Sequence, residues 1–140
     1  MELQEIFDKI NSHMIAQGKI AYDDYKDQCC YRDPDGYSCA VGCLIADEDY
    51  DPAFESIVIG TVKSYQLAGG FDPNGSSLEL GAKRLHDALV KTIGELTVAK
   101  HLLLRDLQEL HDRIEDENFA ASWKKEAAEI GQVHGLVYND

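Results

Sequence analysis

Apolar residues at Leu3, Ile6, Phe7, Ile10 and Met14 recur every three or four positions, with mostly polar residues between them. That spacing places the five side chains on one face of a helix, and Gly18 falls where a left-handed cap ends one. An amphipathic first helix is therefore predicted. The period then breaks: residues 19–28 are polar, rich in Tyr and Asp, and are expected to form a loop. Asp33-Pro34-Asp35-Gly36 carries the residues of a tight turn, proline pre-setting φ and glycine accepting positive φ. Around it, Cys30-Tyr31-Arg32 is expected to pair with Tyr37-Ser38-Cys39, with Cys30 opposite Cys39 and Tyr31 opposite Ser38. Ala40 to Ile45 reads as a short buried helix in which Gly42 admits another backbone at close range.

Asp51-Pro52 has the form of a cap followed by a first-turn proline. Ile57 to Val62 is rich in β-branched residues, and its period does not decide between strand and helix. Gly69 to Gly75 is a loop. Beyond it the chain reads as helical. Ala82, Leu89, Ile93 and Leu96 mark one stripe, weakened near its end by Gly94 and Thr97. Leu103, Leu107, Leu110 and Ile114 mark a second. Phe119, Trp123, Ala127 and Ile130 mark a third, with Asn118 as its cap and Gly135 as its stop. The predicted fold is a mostly helical α+β domain, one unit over residues 1–140, with a small β-hairpin clasp near the amino terminus. The clasp is expected to pack on the helix that carries His111.

A chain of 140 residues suits one domain with a real core. No apolar run approaches membrane-spanning length. The net charge of −13 repels nucleic-acid phosphates and anionic lipid and attracts basic protein surfaces. Direct nucleic-acid binding and a membrane partner are therefore not expected. The charge is also uneven. Nine acids (Asp23, Asp24, Asp27, Asp33, Asp35, Asp47, Glu48, Asp49 and Asp51) stand against only Lys26 and Arg32 between positions 23 and 51. Asp47, Glu48, Asp49 and Asp51 have the least apolar company and are expected to form an exposed, partner-binding acidic face. Their alternation opens like a calcium loop, but Pro52 stands where the turn glycine belongs and Val58 where the bidentate glutamate belongs.

All four cysteines lie between Cys29 and Cys43. A zinc site would draw on Cys30, Cys39 and Cys43 with one histidine, but the paired C-x-x-C knuckles are missing and the context is apolar. The thiols are read as packing residues, with no metal and no cofactor. A cysteine nucleophile needs a lowered pKa and a base, for which His86, His101, His111 and His134 are available. The surrounding carboxylates would instead raise a thiol. His111 and His134 are expected as half-buried histidines bonded to neighbouring segments. No glycine-rich phosphate motif follows a strand. The candidate pocket or clasp residues are Tyr31, Arg32, Cys39, His111, Asp112 and Trp123. Tyr31 and Arg32 are expected to be held by Asp112 or another carboxylate of the same helix. Met1 to Glu5 shows neither a basic nor an apolar leader region, and a reducing cytosol is the expected setting.

The stretch Cys30-Tyr31-Arg32, Gly36, Cys39-Ala40-Val41-Gly42-Cys43-Leu44-Ile45 resembles a family of small, largely uncharacterised proteins of tailed phages and prophages. Ile6 to Lys9, the Leu103 to Asp112 segment with its Leu-Gln-x-x-His-Asp ending, and Trp123 are similar too. The resemblance covers about the first 55 residues and, more loosely, the last 40; residues 56–98 diverge. It implies a host-cytoplasmic accessory protein that antagonises a host defence. The function expected on that basis is non-enzymatic inhibition of a host protein with a basic surface, engaged through the acidic face. One alternative is a sponge for a nucleotide-type immune signal, acting in a pocket or at an oligomer interface. The other is a cysteine- or metal-dependent enzyme.

Overall fold

Helix boundaries in this chain fall at residues whose chemistry demands a start or a stop. The computed structural model describes residues 1–115 and 117–139. It contains helices α1 (Leu3–Gln17), α2 (Ile59–Leu67), α3 (Ser77–Ile93), α4 (Val98–Arg113) and α5 (Phe119–Val133). A two-stranded antiparallel ribbon, β1 (Tyr22–Asp23) and β2 (Gln28–Cys29), follows α1. Short 3-10 helices occupy Gly42–Leu44, Asp47–Asp49 and Pro52–Ser56. The mostly helical α+β reading holds.

α1 opens with a reciprocal capping box between Glu2 and Glu5 and closes at Gly18, where φ is +72°. Gly94 and Thr97 do more than weaken one long helix. Gly94, at φ +79°, ends α3, and the Thr97 side chain accepts the Lys100 N–H to start α4. Leu96 therefore lies in the connection. Asp51 caps Pro52–Ser56 by accepting the Ala53 N–H, as its sequence suggests. Asn118 sits before α5 at φ +54°, but its side chain makes no cap bond.

The β-branched run 57–62 divides between two conformations. Val58 is extended at ψ 151° and serves as the lead-in, and the helix begins at Ile59. Ile57, Ile59 and Val62 point into the core while Val58 stays exposed.

α4 is the central strut. It packs against α1, α2 and α5, and Leu103, Leu104, Leu107 and Leu110 along it are wholly buried. Each such leucine is worth about 1.5–3 kcal/mol of burial. On α5, Trp123 is wholly buried, stacks on Phe119 and donates its Nε1–H to Asn11 Oδ1 at 3.0 Å.

The clasp differs from its predicted form. Regular pairing lies in the expected loop, Tyr22 opposite Cys29 and Asp23 opposite Gln28. The expected pairing around the Asp33–Gly36 turn shrinks to one bridge, Arg32 opposite Ser38, one residue out of the predicted register. Asp33 is the cause. Its Oδ1 accepts the N–H groups of Asp35 and Tyr37, both at 2.9 Å, and its own N–H meets the Tyr37 carbonyl. The turn thus runs from 33 to 37, with Gly36 at φ +89° inside it. The apolar run 40–45 winds only as the Gly42–Leu44 turn, because Gly42 lies directly against the Tyr31 carbonyl oxygen.

A Cβ at position 42 would overlap that oxygen. Gly42→Ala is expected to lose about 1–3 kcal/mol of stability in urea unfolding. An unchanged midpoint would mean the two backbones are not held together as described.

His101 of α4 gives a pH-dependent prediction. It is buried, bonds through Nε2 to the Gln66 side chain of α2, and leaves Nδ1 without a partner among the described residues. Burial first, then the charge of Lys63, lowers its pKa from 6.5 to about 4. The folded state therefore favours neutral imidazole. Its stability contribution is complete above pH 6.5 and is lost as pH falls toward 4. Stability is expected to drop by about 1–2 kcal/mol between pH 7 and pH 5, a loss that His101→Gln largely removes. Parallel pH profiles for the two proteins in denaturant titrations would contradict this.

Candidate functional site

The clasp is fastened by side chains that reach its backbone. Glu55, from Pro52–Ser56, accepts the N–H groups of Tyr31 at 2.9 Å and Arg32 at 3.1 Å, and also the Tyr50 hydroxyl. The Tyr31 hydroxyl donates to the Ile57 carbonyl. Arg32 bonds Asp47 at 2.6 Å and the Ile45 carbonyl at 2.7 Å, and lies over the Tyr50 ring. From α4, Gln108 Oε1 accepts the Val41 N–H at 3.0 Å, and His111 Nε2 accepts the Ala21 N–H at 2.9 Å. The clasp does dock on the His111 helix. The expected grip of α4 carboxylates on Tyr31 and Arg32 is absent, because Glu55, Asp47 and the Ile57 carbonyl take those positions.

A cavity of about 420 Å³ opens between the clasp, segment 55–60 and α4. Tyr31, Cys39, Ile57 and Ile59 contribute its apolar side. Arg105, Gln108, Glu109 and Asp112 contribute the α4 side. Of the predicted pocket residues, Tyr31, Cys39 and Asp112 meet here. Arg32 instead lines a separate hollow of about 250 Å³ with Asp23, Asp33 and Tyr50. His111 is wholly buried and works as a fastener. Trp123 belongs to the core against α1 and is not among the cavity residues.

Glu55, Arg105, Gln108 and Glu109 were not among the predicted site residues. The signal for three of them was present in the spacing. Positions 105, 108, 109 and 112 follow one another at helical intervals, beside the apolar stripe 103, 107, 110 and 114. Glu55 lacked any such signal, since its role comes from a 3-10 turn.

Among the described residues, Cys29, His111 and Asp112 each bring one potential metal-ligand atom to within 4.8 Å of the others. The hydrogen bonds of His111 limit that option. Nε2 accepts from Ala21 N–H, so the proton is on Nδ1, which donates to Asp112 Oδ1 at 2.8 Å. A metal at Nδ1 would move the proton to Nε2 and set it against the Ala21 N–H; a metal at Nε2 would displace that N–H outright. The thiols sought for a zinc site have local partners as well. Cys43 donates to the Ala40 carbonyl, and Cys39 Sγ accepts the Gly42 N–H.

The acids at 47–51 do not behave alike. The Asp47 side chain is 92% exposed even while paired with Arg32, and Glu48 is exposed with no partner among the described residues. Asp49 is 21% exposed and pairs with Lys91, while Asp51 is 32% exposed and pairs with Arg84. The expectation of four exposed carboxylates is thus met by two. The other two dock this loop on α3.

Burial, followed by the Asp112 charge, pushes the Cys29 thiol up to about 11. Burial, then Glu55, Asp33 and Asp23, pushes Cys30 up to about 12. Cys43 is held near 12 by burial, and Cys39, buried deepest, lies well above its ordinary value. No protein-family model, no curated protein and no solved structure matches the chain.

These environments make the thiols slow nucleophiles at neutral pH. The rate of disulfide-reagent labelling of native protein should still be climbing above pH 9, with half-buried Cys29 reacting first. A rate that levels off between pH 7 and 8 would reveal an activated thiol.

Proposed function

We propose that this chain is a non-enzymatic binding protein, a tailed-phage accessory factor that holds a host protein with a basic surface in the host cytoplasm. The observation that carries the reading is the charge of residues 23–51. Nine carboxylates face two basic residues there, and one of those two, Arg32, is spent internally on Asp47 and the Ile45 carbonyl. The field that remains is negative and suits a cationic protein surface. The phage setting rests on the resemblance of the Cys30 to Ile45 stretch, and action against a host defence follows from that setting by analogy.

Two further observations support binding over catalysis. The four thiols are raised rather than activated. The histidines nearest to carboxylates serve as fasteners, His111 on the clasp and His134 on Asp106 of α4 at 2.7 Å. A nucleotide sponge would need cations around its phosphates. Among the described residues, the cavity offers only Arg105, already bonded to Asp106.

The test separates the two kinds of acid. Asp47→Asn combined with Glu48→Gln should leave the fold intact and slow association with the captured host partner about three- to tenfold at low salt. The difference should vanish near about 0.5 M salt, where screening is complete over a few ångströms. Asp49→Asn combined with Asp51→Asn should act on stability instead, by about 1 kcal/mol or less per pair. The reading fails if affinity capture from host lysate retains no basic protein, or if the Asp47 and Glu48 variant associates at the parental rate in low salt.

A further inference from the structure

We propose that the cavity between the clasp and α4 is a binding site for a small organic cation, an amine or guanidine carried on an apolar body. Its volume of about 420 Å³ lies within the range of small-molecule sites, about 300–1,000 Å³. Its two sides differ in chemistry. The clasp side offers Tyr31, Cys39, Ile57 and Ile59, a surface for an apolar body. The α4 side offers carboxylates.

Glu109 and Asp112 stand one turn apart on the same face of α4, close enough to share one cationic head group. Glu109 has no partner among the described residues. Asp112 receives Gln108 and His111 on Oδ1, and the Cys29 thiol lies beside the same carboxylate, whose side chain is 47% exposed. Glu55 adds a third negative charge at the wall, although its oxygens already serve Tyr31, Arg32 and Tyr50. The one basic lining residue among the described residues, Arg105, is drawn to Asp106 through Nε at 3.0 Å and Nη2 at 2.9 Å. Three carboxylates thus face a single guanidinium that is already paired. Low-dielectric walls concentrate such a field, so it attracts an ammonium group and repels a phosphate or carboxylate. After the larger effect of burial, the raised Cys29 thiol registers Asp112, and the raised Cys30 thiol registers Glu55 before Asp33 and Asp23.

This inference stands apart from the partner-protein reading, since the cavity involves neither Asp47 nor Glu48. The probes are three molecules with one body: 3-phenylpropylamine, 3-phenylpropanol and 3-phenylpropanoate. Each is titrated into the intact ¹⁵N-labelled protein, and amide shifts are followed by NMR. The amine is expected to bind saturably, with shifts centred on residues 57–60 and 105–112. The alcohol and the carboxylate should bind about tenfold or more weakly. Glu109→Gln removes an exposed, unpartnered charge, so it should keep the parental Tm while weakening amine binding several-fold; Asp112→Asn should weaken it further. The proposal is overturned if the alcohol or the carboxylate binds as well as the amine, or if the shifts centre elsewhere. It is also overturned if neither variant changes amine affinity, or if no probe saturates.

Discussion

Glu55 sits where one carboxylate must satisfy two adjacent backbone N–H groups. By accepting from Tyr31 and Arg32, it sets the path of the chain through the clasp. That path brings the Tyr31 carbonyl against Gly42 and the Tyr31 hydroxyl to the Ile57 carbonyl. It also aims the Arg32 guanidinium away from α4, toward Asp47. Buried N–H groups left without acceptors would each cost about 1–3 kcal/mol, so the clasp depends on this carboxylate as a strand depends on its neighbour. One side of the cavity, the direction of Arg32 and the position of the 47–51 loop all follow from it.

The helices were legible in the sequence because burial and period agree. The stripes at 6–14, 103–114 and 119–127 are core residues in the structure, and Leu3 and Ile130 at their ends are partly buried against that core. Gly18, Gly36, Gly42 and Gly135 each occupy the conformation or contact expected of them. The clasp was less legible. Its order comes from side chains that bond distant backbone, Asp33 within its turn and Gln108, His111 and Glu55 across the fold. Such bonds leave no period. They also explain the one-residue shift at Arg32, since a side chain that captures two turn donors changes where pairing can resume. Trp123 shows the reverse problem: a large aromatic with a polar handle suits a pocket wall or a core equally, and its choice depends on Asn11, 112 positions away.

Charge needed the structure in a similar way. A count of nine acids says how much negative charge a stretch carries, not which groups are free. Lys91 and Arg84 on α3 engage Asp49 and Asp51, and Arg32 engages Asp47 from within the clasp. The two α3 pairs tie the stretch to the helical body, the Arg32 pair braces it internally, and the field offered to a partner comes from what they leave over. The cavity carboxylates, Glu109 and Asp112 of α4 with Glu55 opposite the clasp backbone, lie outside the acid-rich stretch altogether.

The bonds that fasten the clasp have a consequence for the order of events during synthesis. Ala21 waits for a residue 90 positions later, and Val41 for one 67 positions later. While the first half of the chain emerges, α1 can coil and Glu55 can meet Tyr31 and Arg32, but the clasp still lacks its two α4 acceptors, Gln108 and His111. Closing such wide loops is entropically slow, so the helices assemble before the clasp is sealed. The cavity is thus among the last features to appear. A chain arrested before Gln108 would carry every thiol of the finished protein and neither of the α4 side chains that fasten the clasp.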